Sequence, residues 1–123
     1  MIAQDCNLNC LYCDGKAGEY NNRGKMTFDT AKQAVDYLVK HRGEQKRVYV
    51  VFFGGEPLMN LSLIQDLVSY MDEIEKTENV SFEKSMTTNG TLLTDEIIDY
   101  CDRKKISIKI SIGNFSDLCY YPL

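Results

Sequence analysis

The sequence predicts an α/β fold in which right-handed βαβ units lay down a parallel sheet, and three observations carry that expectation. Segments of helical period alternate with short apolar or period-two segments along the chain. A polar motif follows each strand segment, where parallel sheets and barrels carry their working groups. No Pro-rich or Ser-rich linker and no internal repeat divides the 123 residues, a length suited to one domain.

Met1 to Gln4 forms a possible short first strand, and the polar, Gly-bearing stretch from Asp14 to Lys25 reads as a loop. From Thr27 onward Ala31, Ala34, Val35, Leu38 and Val39 recur at helical spacing. Lys40, His41 and Arg42 suit the negative end of that helix, and Gly43 is a natural left-handed stop. Val48 to Phe53 is a continuous apolar run, the pattern of a strand buried on both faces. Asn60 can cap a second helix whose stripe is Leu63, Ile64, Leu67, Val68 and Met71. Val80 to Thr88 is a further strand, ended by the turn pair Asn89-Gly90. Thr94 caps a short helix with an acidic first turn, carrying Ile97, Ile98 and Cys101 on one side. In the last strand Ile106, Ile108, Ile110 and Ile112 alternate with Ser107, Lys109 and Ser111. With the isoleucines against helices, the serines and Lys109 face inward, which suits a barrel that holds a ligand.

Composition narrows the function classes. A net charge of −4 and the absence of a basic stripe argue against a nucleic-acid partner. No apolar run approaches the roughly 20 residues of a membrane span, and no signal peptide precedes the first cysteines. Five cysteines, three of them clustered, do not read as a secreted disulfide framework, so a reducing cytoplasm is the expected location.

Those three are Cys6, Cys10 and Cys13, a C-x3-C-x2-C run on one tight loop. Thiolates select iron–sulfur clusters, zinc or copper(I) over oxygen-loving ions. Three of them can hold three corners of a cubane cluster and leave one iron open. Structural zinc needs a fourth ligand, and the candidates His41, Cys101 and Cys119 all lie far away in sequence. A thiol redox pair at Cys10 and Cys13 leaves Cys6 without a purpose. Cluster, zinc and thiol redox therefore stay open on the residues alone. Gly54-Gly55-Glu56-Pro57 follows the buried strand and has two readings of its own. Two glycines at a strand end admit a close backbone or a ligand such as an amino acid. The other reading is a tight turn finished by proline.

Cys6-x3-Cys10-x2-Cys13 with Tyr12 before the last cysteine resembles the signature of the radical S-adenosylmethionine superfamily. Phe52-Phe53-Gly54-Gly55-Glu56-Pro57-Leu58 resembles its glycine motif, and Thr87 to Thr94 resembles the third-strand region of its peptide- and protein-modifying branch. That branch includes sulfatase-maturating enzymes and peptide maturases, the SPASM-type maturases among them. The resemblance covers residues 1–112 and implies the amino-terminal part, about four βα units, of a partial (β/α)6 barrel. It implies that Cys6, Cys10 and Cys13 ligate a [4Fe-4S] cluster, with S-adenosylmethionine on the remaining iron. Tyr12 would lie by the adenine, Gly54, Gly55, Glu56 and Pro57 by the methionine amine, and Asn89 and Ser111 complete the cofactor positions. The implied activity is reductive cleavage to a 5′-deoxyadenosyl radical for hydrogen abstraction from a peptide or protein. An electron donor such as flavodoxin or ferredoxin would supply the electron.

Departures from the family pattern temper the expectation. The family's core has six strands, and Ser111-Ile112-Gly113-Asn114 stands where the pattern commonly reads Ser-Ile-Asp-Gly. Residues 113–123 form a divergent tail, and the last strand is expected to be an unpaired apolar edge. The competing expectation is therefore a truncated, catalytically inactive cluster-binding fragment or electron-transfer module. No catalytic acid, base or radical relay is identifiable.

Overall fold

The structure is a computed structural model that describes residues 1–16 and 22–112, together with the backbone of Cys119–Tyr120. The strands β1 (Ala3–Gln4), β2 (Asn9–Cys10) and β3 (Gly24–Lys25) precede helix α1 (Phe28–His41). Then come β4 (Arg47–Phe52), a 3-10 turn (Pro57–Asn60) running into α2 (Leu61–Thr77), and β5 (Ser81–Thr88). Helix α3 (Asp95–Arg103), β6 (Ile106–Ile110) and β7 (Cys119–Tyr120) complete the order.

β4, β5 and β6 form a parallel sheet in that order, as alternation of strands and helices requires. The first strand joins it just beyond β4. Ala3 bridges Gly54 in parallel, Ile2 N donates to Phe53 O at 2.8 Å, and Gly55 N donates to Ala3 O at 2.9 Å. On its other side β1 pairs antiparallel with β3, a pairing inside the stretch expected to be loop. Two-residue strands leave no period to read, so only the long-range partner defines them. Residues 17–21 of that loop, and 113–118 and 121–123 of the expected tail, lie outside the described residues. β7 pairs antiparallel with β2, placing the Cys119 backbone opposite Cys10.

Register sets the two faces of the sheet. Val48 lies opposite Phe82, Phe52 opposite Met86, and Lys84 opposite Ile106. These residues point to the helices and are buried with Ala31 and Val35 of α1 and Cys101 of α3. The whole predicted stripe of α2, Leu63, Ile64, Leu67, Val68 and Met71, is buried. Each such aliphatic side chain contributes about 1.5–3 kcal/mol on leaving water. Thr27 and Thr94 cap α1 and α3 through their side chains, and Gly43 takes the left-handed conformation at φ 62°.

Five expectations need correction. The isoleucines of the last strand segment do not all pack on the helices: Ile106 is buried and Ile108 half-buried in the core, whereas Ile110 and Ile112 are 53% and 85% exposed, because no described helix covers that end of the strand. The apolar run in β4 is buried on one face only, because the described helices all cover the same side; Tyr49 and Val51 are 65% and 58% exposed. On α1, Ala34 and Leu38 are exposed, since no described element covers that flank of the helix. Ile98 likewise faces solvent, and Tyr100 takes its place beside Ile97 in packing against the core. Asn60 does stand at the start of α2, but its side chain makes no cap bond. It donates instead to Ile2 O at 2.9 Å and Met26 O at 3.2 Å, tying the amino terminus to the helix.

The tightest constraint is Gly54. A Cβ there would stand 2.2 Å from Ala3 O and 3.1 Å from Ala3 C and N, all backbone atoms that cannot rotate away. Gly54→Ala should therefore lower stability by about 1–3 kcal/mol, as overpacking does, measured by denaturant unfolding. Gly24→Ala, with nothing within 4 Å of the added carbon, should stay near the parent midpoint. A Gly54→Ala chain as stable as the parent would contradict the close approach.

Candidate functional site

A cavity of about 490 Å³ opens at the carboxyl ends of the parallel strands, within the size range of small-molecule and cofactor sites. The loop after β1 contributes Cys6, Leu8, Cys10, Tyr12 and Cys13 to its wall. Phe53, Gly54 and Gly55 come from the end of β4, Thr87, Thr88 and Asn89 from β5, and Ser111 and Ile112 from beyond β6. Residues more than 100 positions apart in the chain thus meet around one space because every strand in the sheet ends at the same side.

Glu56 and Pro57 stand behind this wall rather than in it. Both are fully buried. The Glu56 carboxyl group accepts from Leu58 N at 3.1 Å and Thr88 Oγ1 at 2.7 Å on one oxygen, and from Asn89 N at 2.8 Å on the other. Glu56 N in turn donates to Asp5 O at 2.8 Å. One residue therefore clamps the end of β4 to the end of β5 and to the segment entering the cysteine loop. Its buried acceptors are all supplied with donors, which is what makes the burial tolerable. Ser111 is held in place by its backbone, donating from N to Thr88 O at 2.9 Å.

The cysteine loop is fastened to β5 by amide side chains. Asn89 Nδ2 donates to Asn7 Oδ1 at 3.0 Å and lies 3.7 Å from Cys6 Sγ. Thr91 donates to Asn89 Oδ1 from N at 3.0 Å and from Oγ1 at 2.7 Å, and Asn7 Nδ2 donates to Thr91 Oγ1 at 2.8 Å. At the loop's entrance Arg23 pairs with Asp5 at 2.9 Å. The Asn7 and Thr91 roles carry no local sequence signal; their meeting depends on contacts more than 80 residues apart.

Burial pushes the Cys6 thiol pKa up, with the nearby Glu56 and Cys13 adding to it; donors from Leu8 N and Asn89 pull the other way. Cys6 and Cys13 carry free thiols, whereas Cys10 is disulfide-bonded. Among the described residues no three His, Cys, Asp or Glu side chains stand close enough to clasp a single metal ion. The distant zinc candidates do not supply a ligand either. Cys101 is buried in the core with its thiol pKa raised by burial, and His41 stacks on Tyr37 with Nδ1 2.8 Å from Tyr37 O. Neither lines the cavity, and the Cys119 side chain lies outside the described residues. Cys6, Cys10 and Cys13 all line the cavity, and with the Cys10 disulfide reduced these three soft donors suit a cluster better than one small ion.

The clamp makes a direct prediction. Glu56→Gln keeps an oxygen for Leu58 N and Thr88 Oγ1 but turns an NH2 group toward Asn89 N. The variant should lose about 1–3 kcal/mol, the cost of an unsatisfied buried donor, and amide hydrogen exchange at Asn89 should accelerate. Unchanged stability and unchanged exchange at Asn89 would contradict the clamp.

Comparison with known proteins agrees with this geometry. The family model described as the Radical SAM superfamily matches residues 1–120. An uncharacterized protein of Methanocaldococcus jannaschii is 37% identical over 111 residues, 90% of this chain and 36% of that protein. The GTP 3',8-cyclase of Rhodopirellula baltica is 33% identical over 124 residues, 99% of this chain and 32% of the enzyme. The chain therefore spans about a third of the length of these relatives. In fold it is similar to native anSMEcpe with bound AdoMet, with a TM-score of 0.77 at 22% identity over 89% of this chain and 29% of that one. That protein is also solved with AdoMet and the Cp18Cys peptide. The likeness bears on the fold and agrees with the opening part of a partial barrel. The chain belongs to the radical SAM superfamily, whose cofactors are a [4Fe-4S] cluster and S-adenosylmethionine.

Proposed function

We propose that Cys6, Cys10 and Cys13 ligate three irons of a [4Fe-4S] cluster and that S-adenosylmethionine occupies the same cavity, for modification of a peptide or protein. The observation that carries this reading is the single cavity at the carboxyl ends of the strands, lined by all three cysteines, the glycine turn, Asn89 and Ser111. When bound, the cluster and S-adenosylmethionine supply one-electron cleavage of a sulfonium bond and a 5′-deoxyadenosyl radical for hydrogen abstraction.

The chain's own residues do the holding. The amides of Gly55 and Glu56 are used on Ala3 O and Asp5 O. Among the described residues no hydrogen bond is made to the carbonyl oxygens of Gly54 and Gly55, so the turn offers acceptors to an ammonium group. Glu56 and Pro57 fix that turn from behind. Tyr12, half-exposed at the cavity wall, offers a ring face to an adenine, and Ser111 offers a hydroxyl to a ribose. Leu8, Phe53 and Ile112 provide apolar wall that limits water.

The peptide or protein substrate is supported by the peptide-bound fold neighbour, while the GTP 3',8-cyclase relative points to a different substrate class. A low-potential donor of the flavodoxin or ferredoxin kind completes the electron supply, and a reducing cytoplasm would keep Cys10 in the thiol form that ligation needs.

Two outcomes check the ligand assignment. After anaerobic reconstitution, Cys10→Ala should lose the paramagnetic signal of the reduced cluster and most of its bound iron and sulfide; retention of the full signal would sink the assignment. Because Cys10 is disulfide-bonded in the structure, air-purified chain should take up a cluster only after thiol reduction. Equal uptake without reductant would contradict a ligand role for Cys10. For activity, the reduced holoprotein should release 5′-deoxyadenosine from S-adenosylmethionine, and peptide should increase that release where GTP does not. Stimulation by GTP alone would overturn the peptide reading.

A further inference from the structure

Asn89 occupies an unusual position for a strand-end asparagine, because its backbone N–H and both ends of its side-chain amide are engaged. Its backbone N donates to Glu56 Oε2 at 2.8 Å, which fixes the main chain from the buried side. Its Oδ1 accepts two hydrogen bonds from Thr91, at 3.0 Å and 2.7 Å. With the oxygen so occupied, the amide can present only its NH2 group to the cysteine loop. That group donates to Asn7 Oδ1 at 3.0 Å and to Cys6 Sγ at 3.7 Å, a normal length for a donor to sulfur. Leu8 N gives the same sulfur a second donor at 3.4 Å. The sulfur of Cys6 thus sits at the positive end of two N–H dipoles, one from its own loop and one delivered from β5.

We infer that Asn89 is a positioning residue that raises the reduction potential of a cluster ligated through Cys6. The inference rests on the functional reading above. One-electron reduction by a low-potential donor adds negative charge to the cluster and its thiolates. Donated hydrogen bonds to a ligand sulfur stabilise that added charge, so they favour the reduced form. Rigidity matters as much as contact, because a free amide would turn toward water. Here the donor is held by Glu56 and Thr91 before any cluster binds.

The test is a reductive titration of reconstituted protein with dithionite, following the paramagnetic signal of the reduced cluster. Asn89→Ala should retain its iron and sulfide, yet at a fixed poise its ratio of oxidised to reduced cluster should rise about tenfold, a fall of about 59 mV for a one-electron couple. Thr91→Val removes one of the two hydrogen bonds that aim the Asn89 amide but leaves Thr91 N on Oδ1, so its potential should fall in the same direction by less than that of Asn89→Ala. An Asn89→Ala potential equal to the parent overturns the inference. So does a Thr91→Val shift as large as that of Asn89→Ala, which would mark general loosening of the loop. In the metal-free, thiol-reduced chain, Cys6→Ala should move the Asn89 side-chain amide resonances; unmoved resonances overturn the contact whether or not a cluster forms. A parent chain that takes up no cluster while showing that contact overturns the functional reading, and the redox role with it.

Discussion

The buried carboxyl group of Glu56 is the constraint on which the site depends. It takes donors from the 3-10 turn after β4 and from two successive residues at the end of β5, while its own backbone N reaches the segment before Cys6. Parallel pairing alone aligns the strand ends, but it does not fix the loops that follow them. Glu56 does, and it does so from the protein side of the wall, leaving the cavity side to Gly54, Gly55 and Asn89. A charged or polar group without partners could not be placed there at tolerable cost.

The second constraint is steric. Ala3 runs so close to Gly54 that no side chain fits between them. The first strand is short and its period is unreadable, yet it carries the cysteine loop, so its docking decides where the thiols stand. Asn60 completes that docking from the start of α2 by accepting no cap role and bonding Ile2 O and Met26 O instead. Packing of α1 and α2 behind the sheet then serves the site indirectly, by holding the strands whose ends form it.

Much of this was legible in the residues. The α2 stripe, the cap at Thr94 and the left-handed Gly43 all follow from local spacing and local chemistry. The cysteine run and the glycine turn marked two walls of the cavity for the same reason. What stayed hidden depends on distant partners. Nothing beside Glu56 announces that Thr88 and Asn89 will bond it, and nothing beside Asn7 announces Thr91. The exposure of Tyr49 and Val51 was missed because an apolar run does not say how many faces of a sheet are covered. Likewise Asn60 looked like a cap because capping is its commonest local use, while the actual partners lie 58 and 34 residues away.

The central claim is that three cysteines hold a cluster whose open iron meets S-adenosylmethionine in the cavity beside Gly54 and Asn89. Electron paramagnetic resonance of the reconstituted, reduced chain, recorded with and without S-adenosylmethionine, tests it most directly. The account predicts a reduced [4Fe-4S] signal whose shape changes when the cofactor is added. A cluster signal indifferent to S-adenosylmethionine, or tight zinc with no iron, would contradict it.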